Sequence, residues 1–266
     1  MSAEPSHQPT DRPLDGLRLL VIGAGTRDIQ LPDMPIGNGK AIAILAARYG
    51  ARVVCSDVEE AWARQTADQI TQEGGESHVI AADVADADRV PTLVQEAADG
   101  LGGLDGVVFN PGVAWGHGIA GTQTSDWDTT MGINLRAPFL TIKAALPLLP
   151  DGGSIVLIGS VAGLRAGSEI PSYDSSKAAL AGLCRAATVE AAPQGIRVNI
   201  VAPGLIDTTL GRLGSLARPD RAHTPIPLGR QGTAWEVAEA VTFLLSSRAS
   251  YITGQTLTVD GGLMAG

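Results

Sequence analysis

Two cysteines, four histidines and 4% aromatic residues are all that 266 positions offer of the groups that staple small folds or ligate metals. Cys55 and Cys184 stand far apart without metal-ligand spacing, so they read as buried thiols of a reducing cytosol rather than a disulfide framework. His7, His78, His117 and His223 are equally scattered, and no metal is expected. Lys and Arg number 19 against 28 Asp and Glu, a formal net charge of -9 with no local basic run. That balance excludes nucleic acid and anionic membrane as partners, because both reward clustered positive charge. No apolar stretch reaches the length of a membrane span. Residues 1–13 are polar, carry Pro5, Pro9 and Pro13, and lack the apolar core of a signal peptide. They are expected to form a disordered tail on a cytoplasmic protein, with 14–266 as one domain.

What is abundant is small and aliphatic. A hydrophobic fraction of 44% with 33 glycines suits an Ala/Val/Ile core joined by tight turns. Strand-like runs at Leu17–Ile22, Arg52–Ser56, Ser77–Ala82, Leu104–Phe109, Ser154–Ser160, Arg197–Val201 and Thr256–Val259 alternate with helix-like segments. The helical segments are Lys40–Tyr49, Glu59–Glu73, Asp86–Asp99, one long helix over Asp126–Leu149, Ser172–Ala192 and Ala234–Leu245. Short continuous apolar runs such as Leu17–Ile22 are the pattern of strands buried on both faces. Repeated βα units predict a single doubly wound, Rossmann-type α/β domain: a seven-stranded parallel sheet with helices on both faces.

Chemistry concentrates between residues 160 and 177. Tyr173 and Lys177 are four positions apart and share one face of an Ala-rich helix. Ser160 closes the fifth strand. A free tyrosine, with a pKa near ~10, is too weakly acidic to act as a base at neutral pH. A nearby ammonium favours the phenolate, and a serine hydroxyl can hold a substrate oxygen, so the set suits proton transfer at a carbonyl or alcohol. Upstream, Gly23-Ala24-Gly25 follows the first strand and Gly37-Asn38-Gly39-Lys40 opens the next helix. Glycines there let the backbone approach a pyrophosphate, whose charge suits a helix N-terminus. Asp57, ending the second strand, would accept the adenosine ribose hydroxyls and repel a 2′-phosphate. NAD is therefore expected over NADP, with Arg27 as the residue that would serve NADP.

In this order the motifs resemble those of the short-chain dehydrogenase/reductase family, from about Leu14 to Gly262. By that resemblance Asn134, Ser160, Tyr173 and Lys177 are the catalytic set. Asp83-Val84 would hold the adenine ring, and Asn110-Pro111-Gly112 matches the Asn-Ala-Gly turn with proline in place of alanine. Pro203-Gly204 would lie beside the nicotinamide, and Ile206 through its backbone and Thr208 through its hydroxyl would contact the carboxamide. Thr256 to Gly262 resembles the usual last strand. The resemblance implies hydride transfer between NAD(H) and a secondary alcohol or ketone, with Tyr173 as general acid and base. It also implies a homo-oligomer, a tetramer paired through Asp126–Leu149 and Ser172–Ala192. A catalytically idle NAD sensor or scaffold, and a lyase or epimerase using the same tyrosine, are the competing readings.

Two departures stand out. Ile22 replaces the threonine that usually precedes the first glycine. Gly23 and Gly37 are fourteen residues apart, where the family's glycines lie one helical turn apart. The additional residues, Thr26 to Ile36, include Asp28, Asp33, Pro32 and Pro35 and the apolar Leu31, Met34 and Ile36. They are too apolar for a freely solvated loop and are expected to form an ordered flap along the pyrophosphate. The substrate pocket is expected at Trp115, His117, Leu164 and the segment Leu205–Leu228, which reads as a lid over a largely apolar substrate.

Overall fold

The computed structural model describes residues 12–27, 34–218, 221 and 223–265. Asp28, Leu31, Pro32 and Asp33 of the insertion, and the expected tail, therefore lie largely outside the described residues. The main sheet contains β1 (Arg18–Ile22), β2 (Arg52–Asp57), β3 (Ser77–Ala81), β4 (Gly106–Phe109), β5 (Ser154–Ile158), β6 (Arg197–Pro203) and, after a small separate pair, β9 (Thr256–Val259). All pairings are parallel in the order β3-β2-β1-β4-β5-β6-β9. Side chains alternate across the sheet. Leu19, Val21, Val53, Cys55, Val108 and Val156 face one core, with α1 (Asn38–Arg48), α2 (Glu60–Gln72) and α9 (Ala234–Leu245) packed on it. Leu20, Ile22, Val54, Val107, Phe109 and Leu157 face the other, covered by α3 (Arg89–Leu101), α6 (Ala137–Ala145) and α7 (Pro171–Ala191). This is the doubly wound sheet the sequence predicts.

β1 connects outward to β2 on one side, whereas β4 continues the sheet on the other. The direction in which successive strands are added thus reverses between β1 and β4, and the crevice where ligands bind in such sheets opens at their carboxyl ends. Gly23 and Asn110 stand at its two lips, joined by a 2.8 Å bond from Asn110 Nδ2 to the Gly23 carbonyl.

Three segments depart from expectation. The long helix over Asp126–Leu149 is α5 (Thr124–Met131), a π-helical turn over Gly132–Arg136, and α6. The physical reason is Pro138 in the first turn of α6. Having no N–H, it cannot bond the Asn134 carbonyl four residues back, and the chain widens instead, with the Ala137 N–H reaching Gly132 O. Between β4 and α5 lies one short turn, α4 (Gly118–Gly121). The expected lid contains regular structure: β7 (Ile206–Asp207) pairs with β8 (Gly232–Thr233), and α8 (Thr209–Ala217) follows β7. No helix among the described residues is long and apolar enough to cross a membrane.

Candidate active site

At the carboxyl end of β1, Gly23 and Ala24 both donate their N–H groups to Ser56 O at 2.8 Å, holding the turn against β2. Gly25 N donates to Asp57 Oδ2 at 2.8 Å, and Val58 N donates to Asp57 Oδ1 at 2.9 Å. Burial raises the Asp57 pKa, opposed by these backbone donors. A side chain at Gly25 would place Cβ 2.5 Å from Trp62 Cβ, and one at Gly39 would run into the Gly23 carbonyl. Only glycine permits that packing. Gly37 N donates to Thr26 Oγ1 at 2.9 Å, so the insertion begins and ends at touching residues.

Helix α1 starts at this point with Gly37 as its N-cap, no side-chain cap and no acidic residue in its first turn. Its leading N–H groups keep their partial positive charge free for an anion. Asn38 Oδ1 is buried without a partner among the described residues, an orphaned polar atom that a bound ligand would satisfy. Around the crevice, Asp83 Oδ1 accepts the Ala85 N–H at 2.9 Å beside the buried Val84. Pro203 ends β6, and Gly204 is packed so closely on Asp260 that a Cβ would lie 2.7 Å from that residue's Cβ. Ile206 is buried, and the Thr208 hydroxyl accepts the Gly211 N–H at 3.0 Å as the N-cap of α8. These residues, which the motifs assign separately, line one edge of the sheet and fit a dinucleotide.

Asn134, Ser160, Tyr173 and Lys177 converge next to it. Asn134 is fully buried in the π turn, which aims its carboxamide at the β4 loop. Oδ1 accepts Val113 N at 2.9 Å, and Nδ2 donates to Val113 O at 2.8 Å and to Ser176 Oγ at 3.0 Å. A Cβ on Gly112 would sit 3.2 Å from Lys177 Nζ and 3.8 Å from Asn134 Oδ1, so this glycine keeps open the space between them. Ser160, just past β5, accepts Ala162 N at 3.1 Å, and its hydroxyl favours ionisation of the Tyr173 phenol. Lys177 Nζ lies 5.8 Å from the centroid of the Tyr173 ring and donates to Ile158 O at 2.8 Å.

The electrostatics correct one expectation. Burial raises the Tyr173 pKa, and the groups that oppose this are the Ser160 hydroxyl and the Arg221 guanidinium; Asp174 adds to the rise. Lys177 is absent from that balance. Its own ammonium is pushed down to about 8 by burial. Sequence reasoning missed both Arg221, whose contact crosses from a distant lid, and Ser176, whose role depends on the fold bringing α7 to the π turn. Trp115 and Leu164 are exposed, at 46% and 47%, and Leu210, Leu216 and Leu228 add further exposed apolar surface on the lid segment. His117 is an exposed N-cap residue of α4. Among the described residues no group of three or more His, Cys, Asp or Glu could hold a metal.

A family model described as enoyl-(acyl carrier protein) reductase matches residues 36–264. A short-chain type dehydrogenase/reductase from Mycobacterium marinum superimposes with a TM-score of 0.83 at 31% identity, covering 95% of this chain and 97% of that one. The chain belongs to the short-chain dehydrogenase/reductase family. As a short-chain dehydrogenase/reductase it is an oxidoreductase of CH–OH and C=O groups. Among its relatives, 2-(S)-hydroxypropyl-CoM dehydrogenase 3 of Xanthobacter autotrophicus is 36% identical, the match covering 86% of this chain and 93% of that protein. A blue fluorescent protein from a metagenomic library, solved in complex with NADPH, has a TM-score of 0.83 at 33% identity and covers 94% of this chain and 98% of that one. The matched region begins at residue 36, where the insertion ends.

Proposed function

We propose that this enzyme interconverts a secondary alcohol and a ketone with NAD(H), using Tyr173 as the proton-transferring group. The observation that carries the reading is the Ser160 hydroxyl set against the Tyr173 phenol, with the buried Lys177 Nζ 5.8 Å from the tyrosine ring centroid, at the mouth of a crevice that fits a dinucleotide. The bound nicotinamide supplies the two-electron chemistry, as hydride donor to a ketone carbon or acceptor from a carbinol carbon.

The chain's own residues do the rest. In reduction Tyr173 gives its proton to the carbonyl oxygen as the hydride arrives at carbon, so one hydride and one proton together make the alcohol. Ser160 holds that oxygen and stabilises the charge developing on it. The raised Tyr173 pKa keeps the phenol protonated and suits it to act as an acid in this direction. Lys177, with its lowered pKa, passes protons readily near neutrality, and Gly112 leaves room between it and Asn134 for a water in a relay. Asn134 positions Val113 and Ser176 around that relay through its three hydrogen bonds. Gly23, Gly25, Gly37, Asn38 and Gly39 would hold the pyrophosphate, and Asp83, Val84, Asn110, Gly112, Pro203, Gly204, Ile206 and Thr208 the remaining parts of the cofactor. The choice of NAD rests on Asp57, a carboxylate where a 2′-phosphate would have to lie; a neighbour of similar fold binds NADPH.

Tyr173→Phe tests the assignment, because it keeps the ring and removes the transferable proton. Screened with ketones and NADH, it should lose more than about a hundredfold in turnover, in the range expected for general acid–base catalysis, while NADH affinity changes little. Retention of a tenth of wild-type turnover would overturn the role.

A further inference from the structure

The lid carries two arginines that the reaction as derived does not use. Arg221 is half-buried in a segment that Arg218 ties to Ser168, five residues before Tyr173, and its charge favours the phenolate. It donates from Nη1 to Gly211 O and to Ser215 Oγ, both at 2.8 Å, and these two bonds anchor it to α8. Its Nε and Nη2 have no partner among the described residues. Those two N–H groups form the side edge of the guanidinium that pairs two-pronged with an oxyanion. Arg218 donates to Ser168 O, bridging α8 to the loop before α7, and the two guanidinium charges disfavour one another. Neither arginine forms an ion pair with a carboxylate among the described residues, whereas Arg212, on the same helix, is paired with Asp207 at 2.7 Å.

A partly desolvated guanidinium with its bidentate edge free, next to a second cation, is costly unless something negative completes it. Resting on the ketone reductase reading above, we infer that Arg221, assisted by Arg218, recognises an oxyanion on the substrate, so that the natural substrate is a keto acid or keto phosphate rather than a neutral ketone. The apolar surface of Trp115, Leu164 and Leu210 would take the substrate's hydrocarbon part. One end of the substrate is thus held by charge while the carbonyl meets Ser160 and Tyr173.

The test compares matched pairs under NADH: 3-oxobutanoate with its methyl ester, and dihydroxyacetone phosphate with dihydroxyacetone. The expected result is that one anion is preferred over its neutral partner, and the pair in which this happens tells carboxylate from phosphate. Arg221→Gln should lower that kcat/KM ratio at least about tenfold, the effect of losing a charged hydrogen-bonded contact, and Arg221→Lys should restore part of it. A change acting only through the Tyr173 pKa would lower both members of a pair equally and leave the ratio unmoved. Equal use of anion and neutral partner by the wild type, or an unmoved ratio in Arg221→Gln, overturns the inference. A second arm does not need turnover: with NADH present, butanoate or inorganic phosphate should raise the melting temperature of wild type but not of Arg221→Gln, and butanamide should raise neither. If no ketone is reduced yet an anion still stabilises in an Arg221-dependent way, the reductase reading fails and the anion site stands. If ketones are reduced but no anion stabilises, the anion site fails alone.

Discussion

Lys177 donates from Nζ to the main-chain oxygen of Ile158 across 2.8 Å, tying the helix that carries Tyr173 to the strand that leads into Ser160. The bond holds the Ser160 and Tyr173 hydroxyls in register, and it does so with a side chain that is unfavourable to bury as a cation.

That burial has a pH signature. The Lys177 ammonium falls from 10.5 to about 8. Its folded-state pKa lies below its unfolded value, so between about pH 8 and pH 10.5 the unfolded chain binds more protons. The penalty of burying the charge is full below pH 8 and fades as pH rises toward 10.5. Comparing wild type with Lys177→Met cancels the other titrating groups. Between pH 7.5 and pH 10 the difference should shift in favour of wild type by on the order of 2 kcal/mol, measured by denaturant unfolding at each pH. A pH-independent difference would show that the lysine is not buried as described.

Asp57 should set cofactor choice. Asp57→Asn keeps an oxygen acceptor for the Gly25 N–H and removes the negative charge, so it separates loop support from electrostatic repulsion. The NADPH:NADH ratio of kcat/KM should rise at least about tenfold, as expected from removing a like charge beside a phosphate. A wild type that uses NADPH as well as NADH would refute the role.

The insertion should contribute to cofactor affinity without being needed for folding. Thr209 Oγ1 donates to Pro35 O at 2.8 Å, so the end of the insertion is latched to the lid helix α8, and Ile36 packs on the core. Excising Arg27 to Pro35 should leave a folded protein that binds NADH several-fold more weakly, in keeping with the loss of about one hydrogen bond's net contribution. Thr209→Val should weaken binding in the same direction. Isothermal titration of both variants decides it; unchanged affinity would make the flap a bystander.

Assembly should be tetrameric. Trp127, Phe139 and Val189 on α5, α6 and α7 are exposed, Val189 at 78%, on the helices expected to pair across two-fold axes. Light scattering should give a mass near four times 27.3 kDa. Monomer alone at micromolar concentration would reject this.

The order of strands and helices was legible because strands covered on both faces leave continuous apolar runs, and five of the six expected helices recur within a few residues of their expected bounds. The residues proposed for catalysis and cofactor binding stand in the sequence as spaced motifs, and the fold brings them to one edge. The π turn went unread although its cause, Pro138, is in plain view, because apolar periodicity runs through it unbroken. Arg221 left no signal: its significance lies in what faces it, not in its neighbours along the chain. Likewise, spacing places Lys177 near Tyr173 but says nothing of the Ile158 carbonyl that accepts its hydrogen bond.

Gly23 and Gly39 meet backbone to backbone, although the chain makes a long excursion between them. Gly37 to Thr26 and Asn110 to Gly23 are closing contacts at the ends of that excursion. Loop-closure entropy rises only by about 0.6 kcal/mol per doubling of length. The fold therefore has a splice point at its most demanding turn. A foreign segment of quite different length, grafted between Thr26 and Gly37, would leave strand and helix in contact and would stand where it could report cofactor occupancy directly.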